Sequence, residues 1–415
     1  MAEKEKKKLD VVIRNARLRH QKELVDIGIA DGKILEMGKI EGEAKQVIEA
    51  HGNLVTESFC NAHLHLCKVY TLQMMDEEAL KDYHGNGMGK AMTAIELASR
   101  VKERYDEEWI IKNVRYVLDQ AILHGNLHIR AFADVDPKAG LEGVKALLKA
   151  REEYKGLVQI QVVAFPQDGV VREPGAEELV REAVCLGADI VGGIPWIEYT
   201  EADEKIHIQK MFAIAKEHNR DISMLVDDAG DATLKTLEIL AVQTIENGWE
   251  GRVLAQHARA MSLYPMPYFQ KLVALLKQAR IGIVSDPHTG PLYARVKELL
   301  REGVLVCLGQ DDISDAYYPY GRNNMLEVAF LASHLLWMTS SDEMEALYDM
   351  ITLSAARAMG ISDFGMKVGA IANLVVLGNQ NILEALRNHN PPTHVISHGR
   401  LVAENALVTR LYKGK

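Results

Sequence analysis

The sequence predicts an α/β protein that consists of a (β/α)8 TIM-like barrel and a small discontinuous β-sandwich domain formed by both termini. Two observations predict this architecture. Within residues 57–365, short apolar runs alternate with segments of helical periodicity, and repeated alternation of strand and helix is typical of a parallel barrel. Residues 1–56 and 366–415 instead have the texture of hairpins, so we expect them to meet and complete one domain beside the barrel.

The individual elements follow from these patterns. The end segments contain apolar runs of strand length at residues 10–13, 25–29, 33–35, 372–377, 394–397 and 400–402. The barrel segment contains eight such runs, which begin at Phe59, Leu127, Val158, Asp189, Ile222, Arg252, Ile281 and Val304. Helical patterns lie between them, for example at 108–124 and 233–247, and each of these two is followed by a glycine, which commonly ends a helix.

Composition excludes several classes of protein. The chain has 415 residues, 48% hydrophobic and 26% charged, as in ordinary globular proteins. Its formal net charge of -10 argues against nucleic acid or an anionic membrane as the main partner. No apolar run is long enough to span a bilayer, no signal-peptide core is present, and the four cysteines lack zinc-knuckle or redox spacing. We therefore expect a cytoplasmic protein with reduced thiols.

The first barrel strand ends in a His-x-His pattern, His63 and His65. Side chains two apart on a strand point to the same side, so both imidazoles are expected to project together, as metal ligands do. Such a pair also occurs by chance in a chain with fifteen histidines. In barrels of this type the active site lies at the carboxyl ends of the strands. Here those ends carry further polar residues, namely Asp134, Gln167, Asp227, Asp228, His257, Asp286, His288, Asp311 and Asp312.

Longer motifs extend this pattern over nearly the whole chain. They are VAFPQ at 163–167, LGADIVGGIP at 186–195, GQDD at 309–312 followed by YPYG at 318–321, and ITLSAAR at 351–357. Together these motifs resemble the amidohydrolase superfamily, and within it the bacterial cytosine deaminases and the N-alkylammelide amidohydrolases. The resemblance implies the same architecture, an eight-stranded barrel with a β-sandwich built from both termini.

The resemblance also implies a mononuclear centre with one divalent ion, iron or zinc, held by His63, His65 and Asp311. A cation in such a site makes water acidic enough to attack carbon at neutral pH. By the same resemblance, Asp311 also takes the proton of this water, His257 orients or deprotonates it, and Asp228 carries a proton to the ring nitrogen of the substrate.

Three further residues correspond to substrate contacts in the family. Gln167 matches a glutamine whose amide supplies one donor and one acceptor, which suits a cyclic urea or amidine edge. Asp312 matches a second acid that contacts substrate. Tyr317 stands where cytosine deaminases have a tryptophan. The expected partner is therefore a small cyclic nitrogenous molecule, and the family implies a homo-oligomer.

The sequence departs from the family pattern within the predicted site. Leu225 stands where the family has a histidine ligand on the fifth strand, Asp228 replaces a longer glutamate, and Phe132 and Cys67 replace polar residues. Three explanations remain open: His257 assists the three remaining ligands, the metal binds weakly, or no metal binds. Three protein ligands plus water is a normal catalytic coordination. The fourth strand end lacks a lysine, so a two-metal site is not expected.

The leading hypothesis is a metal-dependent hydrolase that acts on a C–N bond of a small cyclic amidine, amide or aminopyrimidine such as cytosine, with release of ammonia. An N-alkylammelide-type or creatinine-type amidohydrolase is the alternative within this class. An alternative of another class is a catalytically degenerate, metal-free relative with a binding role. Leu225 supports that alternative, whereas the retained His63, His65, His257 and Asp311 oppose it.

Overall fold

The computed structural model describes residues 8–75 and 91–413. Its central feature is a sheet of eight neighbouring parallel strands in sequence order. These strands are β6 (Phe59–Leu64), β7 (Asn126–Asp134), β8 (Gln159–Phe165), β9 (Ile190–Gly193), β10 (Asp221–Val226), β11 (Val253–His257), β12 (Gly282–Ser285) and β13 (Val306–Leu308). The predicted eight-stranded barrel is therefore confirmed.

Helices lie between the strands, and three more follow the last strand of the barrel. Around the barrel they are α1 (Ala91–Lys102), α2 (Glu107–Leu123), α3 (Glu142–Glu153), α4 (Ala176–Leu186), α5 (Glu201–Glu217), α6 (Thr236–Glu246), α7 (Met266–Ala279), α8 (Val296–Arg301), α9 (Met325–Leu335), α10 (Ser341–Met350) and α11 (Leu353–Ala358). Helix α2 and helix α6 agree with the predicted helical patterns. Among the described residues, no helix combines the length and apolar character needed to cross a membrane.

Local sequence explains why these elements form. Helix α2 begins after Asp106, whose side chain accepts a hydrogen bond from the backbone N–H of Trp109 and so caps the helix. The helix then buries Ile110, Val114 and Val117, which recur at helical spacing on its inner face. Strand β7 buries all nine of its residues. Full burial is expected for a parallel strand that has side chains packed against both faces.

The end segments form two four-stranded sheets. The first contains β1 (Leu9–Arg17), β2 (Leu24–Ala30), β3 (Lys33–Gly38) and β4 (Ala44–Glu49), and the second contains β5 (Val55–Glu57), β14 (Leu374–Val376), β15 (His394–Ser397) and β16 (Arg400–Glu404). One buried apolar cluster joins Ile13, Ile27 and Ile29 of the first sheet to Leu374 and Ile396 of the second. This packing confirms the predicted domain built from both termini.

Two features of the end segments were not predicted. Strand β4 pairs in parallel with β1, and helix α12 (Ile382–Asn388) interrupts the last segment, which the sequence pattern assigned to strands only. The helix begins after Asn381, whose side chain accepts a hydrogen bond from the backbone N–H of Glu384. The boundaries at 56/57 and 365/366 remain a prediction.

The barrel closes where its first and last strands meet. The backbone N–H of Asp311 donates to the carbonyl oxygen of His63 (2.9 Å), and the N–H of His65 donates to the carbonyl of Asp311 (2.8 Å). The junction of these two strands is the seam of the barrel. The side-chain oxygen of Asn61 accepts hydrogen bonds from the backbone N–H groups of His63 (3.2 Å) and Gln310 (3.0 Å) and so strengthens the seam. The two strands approach so closely that a Cβ on Gly309 would lie 2.6 Å from the Cβ of His63.

We predict that Gly309→Ala lowers the free energy of unfolding by about 1–3 kcal/mol, because overpacking forces the seam apart. Its backbone does not require the left-handed conformation, so the effect comes from the contact alone. Gly42→Ala is the matched control, since a Cβ there would meet nothing within 4 Å. Urea unfolding of both variants measures the difference. Equal stability of the two variants would contradict the close seam.

Candidate metal centre and active-site cavity

Three imidazoles converge on one carboxylate oxygen. The Nε2 atoms of His63, His65 and His257 lie 3.0, 3.7 and 3.9 Å from Oδ1 of Asp311. Each of the four residues offers a ligand atom within 4.8 Å of the others, and all four are buried. Three imidazole nitrogens and one carboxylate form a donor set that suits zinc or divalent iron. The residues present therefore fit a single divalent cation.

The barrel positions these four side chains. His63 lies near the carboxyl end of β6 and His65 directly follows it, and the backbone hydrogen bonds that close the barrel fix their distance from Asp311. The backbone adopts left-handed conformations at His257 (φ 66°), the last residue of β11, and at Asp311 (φ 67°), which follows β13. Such conformations are uncommon outside glycine and cluster at functional sites. They turn both side chains inward at the same rim.

Charge interactions set the protonation of the cluster. Burial lowers the pKa of His63 and lowers that of His65 further, which favours neutral imidazoles. Burial alone would raise the pKa of Asp311, but His257 and His63 outweigh it and hold this pKa well below the usual range. The centre therefore combines neutral imidazoles at His63 and His65 with an ionised carboxylate, which are the forms that bind metal.

His257 is oriented by a second carboxylate. Oδ1 of Asp286 lies 2.9 Å from Nδ1 of His257, which leaves Nε2 directed at the cluster. Burial alone would lower the pKa of His257, but Asp228, Asp286 and Asp311 together raise it to about 9. In the metal-free protein this imidazole carries a proton at neutral pH, which a cation at Nε2 must displace.

A buried arginine connects the acids of the site. Nε of Arg259 donates to Oδ1 of Asp228 at 2.7 Å, and Nη2 donates to Thr289 (2.7 Å) and more weakly to Oδ2 of Asp311 (3.4 Å). Thr289 also donates to Oδ2 of Asp311 at 2.7 Å. Because Oδ2 is held in this way, Oδ1 of Asp311 is the oxygen that faces the imidazoles.

The two consecutive acids after β10 have different environments. Asp227 accepts hydrogen bonds from the backbone and hydroxyl of Thr236 and from the hydroxyl of Tyr264, so it anchors α6. Asp228 instead lines the cavity and lies 3.9 Å from Nε2 of His257. Burial raises the pKa of the Asp228 carboxyl, although His257 and Arg259 oppose this effect. A raised pKa favours a group that holds and then donates a proton.

Gln167 lines the cavity as part of a chain of polar contacts. Its Nε2 donates to the hydroxyl of Tyr317 at 2.9 Å, and its Oε1 accepts from Nζ of Lys68 at 2.5 Å. The Lys68 ammonium also lies 4.8 Å from the centre of the Tyr317 ring. Nearby, burial and the neighbouring Asp311 and Asp315 raise the pKa of Asp312 well above its usual range. This wall offers both donors and acceptors to a polar ring edge.

The cavity has a volume of about 580 Å³ and opens above the metal centre. The predicted residues His65, Gln167, Asp228, His257, Asp311, Asp312 and Tyr317 all line it. Leu225 also lines it, at the position where the resemblance implied a histidine. Leu225 packs into an apolar cluster with Phe132 and Phe165, so this side of the centre contains hydrocarbon.

The structure adds residues that the sequence patterns did not single out. Lys68 follows His65 by three positions and Arg259 follows His257 by two, and both line the cavity. Their closeness in sequence to the histidines was the only indication that they would lie in the site, and it was weak. Arg259 reaches back to Asp228 only because the chain makes a left-handed turn at His257 and Ala258. Cys67, which the sequence analysis noted beside the histidines, is not among the residues that line the cavity; its sulfur accepts a hydrogen bond from the backbone N–H of Asp134.

We predict that Asp286→Asn weakens zinc binding or activity by about 10- to 100-fold, because loss of the carboxylate frees the orientation of His257. The matched control is Asp221→Asn, which removes an ion pair with Arg252 near the start of β10 (2.7 Å). Competition with a chelator measures the apparent dissociation constant for zinc, and turnover is measured in parallel. Identical losses in both variants would show a general effect on folding rather than on His257.

Comparison with known proteins identifies the family. Residues 46–403 match the model of the amidohydrolase family. N-isopropylammelide isopropyl amidohydrolase of Pseudomonas sp. is 32% identical over 405 residues, which cover 97% of this chain and 99% of the relative. The crystal structure of 5-methylcytosine deaminase from Klebsiella pneumoniae liganded with 5-fluorocytosine superposes with a TM-score of 0.89 at 29% identity, and covers 97% of this chain and 99% of that one. N-isopropylammelide isopropylaminohydrolase from Burkholderia multivorans gives a TM-score of 0.83 at 27% identity, with 96% and 99% covered. The chain therefore belongs to the amidohydrolase family and is a hydrolase that acts on C–N bonds.

Proposed function

We propose that this protein is a metal-dependent deaminase that hydrolyses a C–N bond of a small cyclic amidine, amide or aminopyrimidine and releases ammonia. The observation that carries the proposal is the convergence of three imidazole Nε2 atoms within 3.9 Å of Oδ1 of Asp311 beneath a cavity. We propose His63, His65 and Asp311 as the ligands, with His257 completing or flanking the centre. Zinc and iron are the candidate ions.

In the mechanism that we propose, a divalent cation in this donor set makes water acidic enough to attack carbon at neutral pH. Asp311 takes the proton of the attacking water, because its carboxylate is ionised and held by Thr289. His257, fixed by Asp286, directs that water toward the ring carbon. The new C–O bond forms as the ring C=N electron pair moves onto nitrogen.

The remaining steps use the cavity walls. Asp228 donates a proton to the ring nitrogen, which its raised pKa supports. Collapse of the tetrahedral intermediate forms a C=O bond while the ring nitrogen keeps its proton. The proton of the hydroxyl group restores the acid form of Asp228, and the amino group leaves as ammonia after it accepts a proton from Asp311. Gln167 and Asp312 hold the polar edge of the ring, with Tyr317 and Lys68 positioning Gln167.

An N-alkylammelide-type reaction is the second candidate. It is supported by the relative of Pseudomonas sp., named for N-isopropylammelide, which matches almost the full chain at 32% identity. The same residues would then release an alkylamine instead of ammonia. A creatinine-type reaction shares the mechanism and differs in the ring. Identification of the released amine separates the N-alkylammelide-type reaction from the other two, and the ring that is consumed separates those two from each other.

A metal-free relative with a binding role is the candidate of another class. Leu225 supports it, because a hydrocarbon side chain occupies the position of a ligand in the family and cannot bind a cation. The four remaining donors oppose it, because burial of three imidazoles and a carboxylate around one point has a desolvation cost that a metal ion offsets.

We also propose that the protein acts in the cytoplasm as a homo-oligomer, on a small molecule rather than nucleic acid. Three cysteines are buried free thiols, which is consistent with a reducing compartment. The apolar side chains of Leu407, Val408, Leu411 and Tyr412 near the end of the chain are 74–82% exposed, and contact with a second copy would cover them. The net charge of -10 is unfavourable for contact with nucleic acid.

The proposed reaction is tested by incubating the zinc- or iron-loaded enzyme with cytosine, 5-methylcytosine, creatinine and N-isopropylammelide and identifying the released ammonia or isopropylamine. We predict that Asp311→Asn lowers kcat by about 10²–10⁴-fold, because a group that transfers a proton in the transition state typically contributes an effect of this size. Asp342→Asn, an exposed change at the start of α10, is the control and should keep full activity. Full turnover by the Asp311 variant would overturn the mechanism.

Leu225→His distinguishes an active enzyme from a degenerate relative. If Leu225 is part of a working site, we predict that the added imidazole lowers kcat/KM by about tenfold or more, because it replaces an apolar contact with the substrate by a polar group. The measurement is turnover of the same substrates by the parent and the variant, each loaded with zinc. Turnover that is absent in the parent and appears in the variant would favour the degenerate relative.

A further inference from the structure

We propose that Asp134 is a positioning residue of the active site, which holds the ammonium group of Lys68 against Gln167 through one buried water molecule. The inference rests on the proposed function, in which Gln167 binds the polar edge of the ring. Asp134 is the last residue of β7 and does not line the active-site cavity, so the proposed mechanism gives it no role. The inference follows from the charge of Lys68, from a small internal cavity beside it, and from the way in which the ends of β7 and β8 are held.

The ammonium group of Lys68 decides which way the amide of Gln167 points. Nζ of Lys68 lies 2.5 Å from Oε1 of Gln167. An ammonium group only donates hydrogen bonds, so the carbonyl oxygen of the amide must face it, and the NH2 group must face the hydroxyl of Tyr317 at 2.9 Å. These two contacts leave the amide with one N–H and one oxygen lone pair for a ligand. Without Lys68 in this place, the amide could adopt either orientation.

Asp134 supplies the opposite charge that this ammonium group requires. Lys68 is only 3% exposed, and a buried charge is unfavourable unless an opposite charge lies close to it. Gln167 is neutral and cannot supply that charge. In the described part of the chain, Lys68 forms one ion pair, with Oδ1 of Asp134 at 3.9 Å. The hydroxyl of Tyr105 donates to Oδ2 of Asp134 at 3.0 Å and so keeps Oδ1 directed at Lys68.

A water molecule fits between the two charged groups. The distance of 3.9 Å from Oδ1 of Asp134 to Nζ of Lys68 is too long for a direct hydrogen bond, and Oδ1 accepts no hydrogen bond from any residue that the structure describes. Lys68, Thr71, Tyr105 and Asp134 are among the residues that line a cavity of about 10 Å³ at this place. This volume is near the minimum for one water molecule, and the ammonium, carboxylate and hydroxyl groups supply the polar partners that a buried water requires.

A second buried lysine holds the strand ends that carry these residues. Nζ of Lys102, the last residue of α1, donates to Oδ2 of Asp136 at 2.8 Å and to Oδ1 of Asp168 at 2.7 Å. Asp136 follows Asp134 by two positions. Asp168 directly follows Gln167. The ends of β7 and β8 are therefore joined twice, and the bridge through Lys102 keeps them together when Asp134 is replaced.

The experiment is a double-mutant cycle on the zinc-loaded enzyme, with whichever of cytosine, 5-methylcytosine, creatinine and N-isopropylammelide it turns over. We predict that Asp134→Asn raises KM by about tenfold, the usual effect of losing one hydrogen bond to a charged group. We expect kcat to stay within about twofold, because binding of the ground state and of the transition state is weakened equally. In the Gln167→Ala background, the same change should alter KM by less than about twofold, because Asp134 acts through Gln167.

Two further variants and one structure complete the test. Tyr105→Phe serves in case Asp134→Asn does not fold, and should raise KM about two- to threefold by removing one hydrogen bond to Asp134. Glu57→Gln is the matched control and should keep the KM of the parent, because Glu57 is a buried carboxylate with Oε1 3.8 Å from Arg19 but lies on β5 and lines neither cavity. A crystal structure of the parent should show a water within hydrogen-bonding distance of both Asp134 and Lys68. Where Gln167→Ala is too slow for a Michaelis constant, calorimetry on the zinc-free proteins gives the dissociation constant of the same ring.

The outcomes separate this inference from the proposed function. Effects on KM that add in the double variant, or an unchanged KM in both Asp134→Asn and Tyr105→Phe, would overturn the positioning role. An equal rise in KM with Glu57→Gln would also overturn it, since the effect would then belong to any buried carboxylate. Direct contact between Lys68 and Asp134 in the crystal structure would overturn the water bridge. All of these results leave the proposed function intact, whereas failure of the parent to turn over any of the four rings would overturn that function and the positioning role with it.

Discussion

Closure of the barrel between its first and last strands is the constraint on which the site depends. Two backbone hydrogen bonds join His63 and His65 to Asp311, so the same contacts that close the sheet also set the separation of the three side chains. Gly309 permits this approach because it has no side chain at the point where the strands meet. The donor set is therefore organised by the barrel itself, and rigid strands position such groups better than loops do.

The metal centre has both polar and apolar neighbours. Asp286, Thr289 and Arg259 fix the imidazole of His257 and the carboxylate of Asp311 through hydrogen bonds and ion pairs. Phe132 packs against the ring of His63, and Leu225 belongs to the same apolar cluster as Phe132. Hydrocarbon cannot coordinate a cation, but it lowers the local dielectric and strengthens the charge interactions of the polar neighbours. Loss of one imidazole at Leu225 thus changes the site without removing its ability to concentrate charge.

The sequence was sufficient for the architecture and for the histidine, aspartate and glutamine side chains that line the cavity. Strand and helix periodicity predicted the barrel, and the polar residues at strand ends, from His63 to Asp312, predicted the rim at which they meet. Arg259 was not predicted to contact Asp228, because that contact depends on left-handed backbone at His257 and Ala258, which periodicity does not reveal. The sequence also gave no means of separating Asp227 from Asp228, since only the fold directs one to α6 and the other to the cavity. Helix α12 was missed because it is short and lies among strand-like runs.

We propose that His63, His65 and Asp311, with His257 beside them, hold one catalytic divalent ion although Leu225 occupies the fifth-strand position. Elemental analysis of protein produced separately with iron, zinc and manganese tests this proposal. We expect about one equivalent of iron or zinc per chain, and loss of that equivalent when His63 and His65 are both replaced by alanine. Absence of bound metal under every supply, or one equivalent retained by the double variant, would contradict it.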